Sequence, residues 1–122
     1  MAGIRKKSFE DPNERIEIEK CICDVVTASG VTVSRLTLEP GWVFTKHAGP
    51  AMGEEVDYCT SPHPIWLVLS GRMAIQMIDG GETIEYGPGD IGEVGPNHDA
   101  WVIGDENAVA IDVAVGEPRG GP

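Results

Sequence analysis

Short apolar runs recur along the chain, separated by Gly, Pro, Asp and Asn, and almost none is long enough for an amphipathic helix of three turns. The chain therefore reads as strand, turn, strand. In "RIEIEKCICDVV" apolar and polar residues alternate from Ile16 to Ile22, which predicts one half-buried leading strand. "VTVSRLTLEPGW" continues the pattern as its neighbour after a Ser29-Gly30 turn. "PIWLVLSGRMAIQMIDGG" predicts two strands broken at Ser70-Gly71, and its apolar richness places them at the centre of the protein. Asp79-Gly80-Gly81 is a hairpin signal. "ETIEYGPGDIGEV" adds a strand, a Gly-Pro-Gly turn and a short strand, "GPNH" turns again, and "DAWVIGDENAVAIDVAVG" closes with two more. Eight or more short strands with no helix between them predict an all-β chain, an antiparallel sandwich or small barrel with little or no helix. Residues 1–14 are expected to form a flexible arm, residues 15–116 the β-barrel domain and residues 117–122 a flexible tail.

Composition narrows the class of partner. The 122 residues fit one domain, and 41% hydrophobic content supplies a core. Sixteen glycines and nine prolines demand many turns, which favours short strands. A formal charge of -11 repels phosphate backbones and anionic membrane surfaces, so neither nucleic acid nor membrane is an expected partner. The run Arg5-Lys6-Lys7 is too short to reverse this and reads as a solvated terminus. No apolar segment approaches the ~18 residues needed to span a bilayer, and the first twenty residues lack the apolar core of a signal peptide. The expected location is cytoplasmic. Cys21, Cys23 and Cys59 form an odd set that a reducing compartment keeps as thiols. Cys21 and Cys23 are expected to share one face of a strand as small buried side chains.

The candidate chemistry concentrates in "HAGPAMGEEVDYCTSPH", which begins at His47 and ends at His63, two of the only three histidines. Gly41, "WVFTK" and His47, followed later by "WLVLSGRM" to Gly71, resemble the first of the paired motifs of the cupin superfamily. "GPGDIGEVGPNHDAW", with Gly89, Asp90 and His98, resembles the second. The resemblance spans roughly residues 36 to 115. It implies a small jelly-roll barrel of the kind that often holds one metal ion between its sheets. The first motif is degenerate: the second histidine of its His-x-His falls on Gly49, and Pro64 stands where the family glutamate belongs. His63 lies one residue before that position. Because side chains alternate along a strand, the offset aims His63 at the opposite face unless Pro64 marks a bulge that restores the register. The second motif is two residues short when counted from Gly89, which preserves parity and leaves His98 facing inward.

A transition metal needs three or more well-placed donors, and neutral imidazole suits Zn, Ni, Mn, Fe or Cu. The resemblance therefore implies one divalent ion held by His47, His63 and His98. Cys59, an acid from Glu54, Glu55 and Asp57, or water is left for the fourth position. Ala100 shares the inward face of His98 where cupins commonly carry a bulky aromatic, so room is expected beside the ligand. Ala100, Met73, Met77 and Trp66 are the candidate substrate-contacting residues, with Ile75 on the same face as the two methionines. Trp101 is expected to point away and Trp42 to lie near the barrel mouth. The expected function is metal-dependent action on a small organic molecule, whether dioxygenase, isomerase or lyase-like. The alternative is a non-catalytic small-ligand-binding or sensing module. A homodimer is expected, since the leading strand otherwise offers a long edge.

Overall fold

The computed structural model describes residues 3–115, and the expected tail at residues 117–122 lies outside them. Nine strands are described: β1 (Glu14–Ile18), β2 (Cys21–Ala28), β3 (Val31–Leu38), β4 (His63–Ser70), β5 (Arg72–Met77), β6 (Thr83–Tyr86), β7 (Ile91–Val94), β8 (His98–Ile103) and β9 (Ala108–Val115). They pair antiparallel in a six-stranded sheet of order β1-β2-β3-β9-β4-β7 and a three-stranded sheet of order β6-β5-β8. Two antiparallel sheets wrapped around one core are an all-β jelly-roll sandwich. The helical content is one π-helical turn, Phe44–Ala48, and a four-residue helix α1, Gly49–Met52. No helix among the described residues is long and apolar enough to cross a membrane.

The leading apolar run is two strands rather than the one expected. Lys20 takes φ 62 between β1 and β2, so the chain reverses inside "EIEKCI". Glu19 and Lys20, two polar residues in succession, break the alternation where the backbone folds back, but carry no Gly, Pro, Asn or Asp to mark a turn. The Ser29-Gly30 turn forms as expected, with φ of 52 and 77, the paired positive values of a type I′ hairpin. Gly71 takes φ 73, and a Cβ there would strike the carbonyl of Asn107. Only glycine allows that crossing between sheets.

Alternation along the strands builds the core. Trp66 and Val68 of β4 pair with Asp112 and Ala110 of β9, and Leu38 of β3 pairs with Ala108 and Cys21. From the facing sheet, Met73 and Ile75 of β5 and Ala100 and Val102 of β8 close over them. Small alanines along β9 leave room for the large Trp66. On the outer face, buried Asp24 accepts from Arg15 at 2.8 Å and Arg35 at 3.0 Å. Arg35 also reaches Glu10 at 3.2 Å and lies 5.0 Å over the Phe9 ring, which ties the stretch before β1 to the sheet.

Where the family pattern implies a strand bearing His47, the chain winds helically instead. Asp99 on β8 accepts from the Thr45 amide at 3.0 Å and the Thr45 hydroxyl at 3.1 Å, pinning the π-turn to the sheet. Gly49 is buried in α1, and a Cβ there would overlap the carbonyl of Asp57. No histidine fits at that position, so the absent donor is a packing requirement of the loop. Val43 and Cys59 then bridge Trp101 and His98 along the free edge of β8, covering it.

The three cysteines are free thiols. Burial pushes Cys21 up to about 12, and burial with the nearby acids pushes Cys23 up to about 11, from an ordinary 9.0. The unfolded chain loses these protons first, so their stabilisation is complete below pH 9.0 and lost as pH rises through 11 to 12. Urea midpoints are expected to fall steadily above pH 9, and less steeply in the Cys21→Ala/Cys23→Ala double variant. Equal slopes in the two proteins would contradict the assignment.

Candidate metal centre

The centre begins with an irregularity in β4. Against β7, His63 pairs with Val94 and Trp66 with Gly92, so three steps on β4 match two on β7. This is a β-bulge, and it spans Pro64 and Ile65. Proline has no amide to give a ladder and is at home in such a position. Simple alternation from Val68 and Trp66 would turn Pro64 inward and His63 outward. The extra residue restores His63 to the interior face. Its side chain is 12% exposed and its ring lies 5.0 Å from that of Trp66.

Cys59 arrives from the other direction. Its amide donates to the His98 carbonyl at 2.8 Å and its carbonyl accepts from the His98 amide at 3.0 Å, so the two residues are directly opposed. Side chains of such a pair leave the backbone on the same face. Cys59, His63 and His98 thereby converge, with one ligand atom from each lying within 4.8 Å of the others. Cys59 Sγ is 3.8 Å from His63 Nε2, and the two imidazole centroids are 5.0 Å apart.

Each histidine is held through its other nitrogen. His98 Nδ1 donates to the Gly95 carbonyl at 2.9 Å, which leaves Nε2 for the cluster. His63 Nδ1 lies 3.2 Å from Asp112 Oδ2, and its Nε2 faces the thiol. Carbonyl and carboxylate partners of this kind fix ring orientation in metal-ligating histidines. Burial pushes the Cys59 thiol up, but the hydrogen bonds and charges of His63 and His98 outweigh burial and bring it down to about 6. Burial pushes His63 down, but Asp112 and Cys59 outweigh burial and raise it to about 9. Without an ion, the two form a thiolate–imidazolium pair at neutral pH.

Of the three histidines, the structure gathers His63 and His98 with Cys59, and His47 is not among that group. Its Nδ1 accepts from the Val43 amide at 3.0 Å, and its Nε2 lies 3.8 Å from Glu19. Its Nδ1 is thus occupied by the backbone of its own turn. Residues 44–48 form a π-turn, so His47 stands on a helical segment rather than on a strand. Glu54, Glu55 and Asp57 are exposed and outside the cluster, and Glu54 accepts from Thr60 instead.

The candidate contact residues divide. Ala100 is buried on the inward face with His98, and Trp66 packs on His63. Met77 is the cross-strand partner of His98, whereas Met73 is fully buried in the core between Tyr86 and Val102. Trp101 is half-buried on the opposite face of β8, and Trp42 is core, edge-on to Phe44 at 6.2 Å. Asp112 was missed by sequence reasoning. Its signal was available as one acid inside the apolar run "AVAIDVAV" of a central strand, where a lone charge needs a partner.

No family model and no curated protein matches the chain. Solved structures do. Oxalate decarboxylase from Bacillus subtilis, a protein with Mn(II) centres, is 23% identical with TM-score 0.61, over 87% of this chain and 28% of that one. The formate complex of oxalate decarboxylase from Lactobacillus farciminis is 15% identical with TM-score 0.60, over 84% and 32%. Ectoine synthase from P. lautus is 12% identical with TM-score 0.69, over 97% and 82%. The chain spans less than a third of the oxalate decarboxylases. These likenesses show the fold, a small cupin-like barrel.

In metal-free protein, the thiolate absorbance lost in Cys59→Ala is expected to appear with a midpoint near pH 6, and His63→Gln to move the midpoint upward. Folding stability is a poor reporter here. Between pH 6.5 and about 9 the depressed thiol makes stability rise with pH while the raised imidazole makes it fall. A Cys59 midpoint at the ordinary 9.0 would contradict the pair.

Proposed function

We propose that the chain is a metal-dependent cupin-like protein acting on a small organic molecule, its ion held by Cys59 Sγ and the Nε2 atoms of His63 and His98. The carrying observation is the convergence of three buried or nearly buried donors whose ligand atoms lie within 4.8 Å of one another. The donor chemistry fits an ion: thiolate with two imidazoles suits zinc, iron or copper, while manganese prefers harder oxygen ligands. Of Zn, Ni, Mn, Fe and Cu, manganese is therefore the poorest match, despite the Mn(II) centres of the similar Bacillus enzyme. With three protein ligands, a bound ion supplies Lewis acidity at an open position.

The chain's own residues do the rest. Asp112 and the Gly95 carbonyl hold the two rings so that both Nε2 atoms face the thiol. Trp66 covers His63 and excludes water. Its indole N–H is buried without an acceptor among the described residues, a free donor for a ligand oxygen. Dioxygenase, isomerase and lyase-like reactions all draw on such a centre. The second reading is a binding or sensing module without turnover. Three free thiols accord with a cytoplasmic location.

Purified protein is expected to bind one Zn(II) or Co(II) per chain and to prefer both to Mn(II). Cys59→Ala and His98→Ala should abolish binding, and Asp112→Asn should weaken it by ~10–100-fold. Full Zn(II) binding by well-folded Cys59→Ala would overturn the ligand assignment. Added organic substrates that are held but never converted by the loaded protein would favour the second reading.

A second copy of the chain is the proposed partner of the six-stranded sheet. The edge strand β1 is short and carries Glu14, Arg15 and Glu17, which discourages edge pairing. The outer face is different, with Ile65 at 44%, Leu69 at 50% and Ile91 at 67% exposure beside half-buried Leu67, Ile111 and Val113. Light scattering is expected to report a dimer that Leu69→Lys/Ile91→Lys converts to monomer. Monomeric wild-type protein would contradict this pairing.

A further inference from the structure

Between the free edges of β6 and β7 the two sheets part, leaving a cavity of about 250 Å³. Its apolar lining is the cross-strand pair Ile75 and Ile84 with Tyr86 beside them on β6, and Val94 of β7 opposite. Ile84 is 49% exposed although it faces the barrel side, because nothing among the described residues closes the wedge over it. Three of its lining residues neighbour the two histidines. Met77 pairs across the ladder with His98, Val94 pairs with His63, and the Gly95 carbonyl is the acceptor of His98 Nδ1. The wedge therefore lies beside the two histidines, which do not themselves line it.

The rim carries charge of one sign. Glu82 and Glu93 line the wedge and are exposed, and no lysine or arginine lines it. The nearest basic residue in β5, Arg72, packs against Gly87 at the other end of the strand and lies 3.6 Å from Glu85. With a formal charge of -11 on the chain, a carboxylate approaching this mouth meets repulsion at long range and finds no counter-ion inside. A molecule with an apolar body and a positive end meets apolar walls and two carboxylates at the spacing of a rim.

We propose that the wedge between β6 and β7 is the route by which substrate reaches the Cys59–His63–His98 centre, and that it admits small organic amines in preference to carboxylates. The inference rests on the metal-centre reading for what happens at its inner end, and on the wedge alone for what enters.

The test uses the whole chain loaded with Co(II) or Zn(II) and labelled with ¹³C at the methionine methyls. Benzylamine, benzyl alcohol and benzoate, which share one ring and differ in charge, are titrated separately. Benzylamine is expected to shift the Met77 methyl saturably while exposed Met52 stays still, and to bind on the order of tenfold more tightly than benzoate at low salt. Glu82→Gln/Glu93→Gln is expected to remove that preference and retain benzyl alcohol binding. Ile84→Trp, which fills the mouth from an exposed position, should weaken all three. Benzoate binding as tightly as benzylamine, or shifts confined to Met52, would overturn the proposal.

The thiolate-to-Co(II) absorption band separates the two readings in the same sample. A band present with Met77 unresponsive sinks the wedge and leaves the metal centre standing. A band absent with Met77 responding to benzylamine supports the wedge and sinks the metal centre.

Discussion

The candidate centre depends on one extra residue in β4. A regular strand running back from Val68 would send His63 to the solvent face, and no histidine pair would form. The bulge across Pro64 and Ile65 reverses that parity while Trp66 stays opposite Asp112 in the ladder. One register shift thus sets two contacts at once, His63 on Asp112 through Nδ1 and His63 on Cys59 through Nε2. The cost is small because Pro64 has no amide to leave unsatisfied. Bulges recur beside functional sites because they re-aim a side chain without dismantling the sheet.

The same economy governs residues 42–62. Rather than a strand, this segment is a folded strap that touches β8 at Val43 and Cys59 and is clamped by Asp99. Gly49 lets α1 sit against the Asp57 backbone, and that contact places the following turn. The strap covers an edge that would otherwise be open to pairing, and it delivers a thiol directly opposite His98. Cys59 and the offset His63 thereby meet His98 in one cluster, while Gly49 and Pro64 offer no donor at the two motif positions.

Much of the fold was legible in the sequence. Ser29-Gly30, Ser70-Gly71 and Asp79-Gly80-Gly81 mark turns through residues with few alternatives, and period-two patterning located most strands. The Glu19-Lys20 reversal was not legible, since a charged pair carries no turn chemistry of its own and the left-handed Lys20 is set by the ladder around it. His98 and the Pro64 alternative followed from strand parity. His47 lies on a π-turn, whereas its motif position presumes a strand. Cys59 was visible as a donor but ranked as auxiliary, for a backbone bridge between residues 59 and 98 leaves no local pattern. Long-range pairing is what the one-dimensional reading lacks.

The central claim is that a thiolate, and not a third histidine, completes the donor set. X-ray absorption at the zinc edge of Zn(II)-loaded protein tests it most directly. The account predicts one sulfur scatterer at about 2.3 Å beside imidazole nitrogens at about 2.0–2.1 Å. A shell of nitrogen and oxygen alone would contradict it.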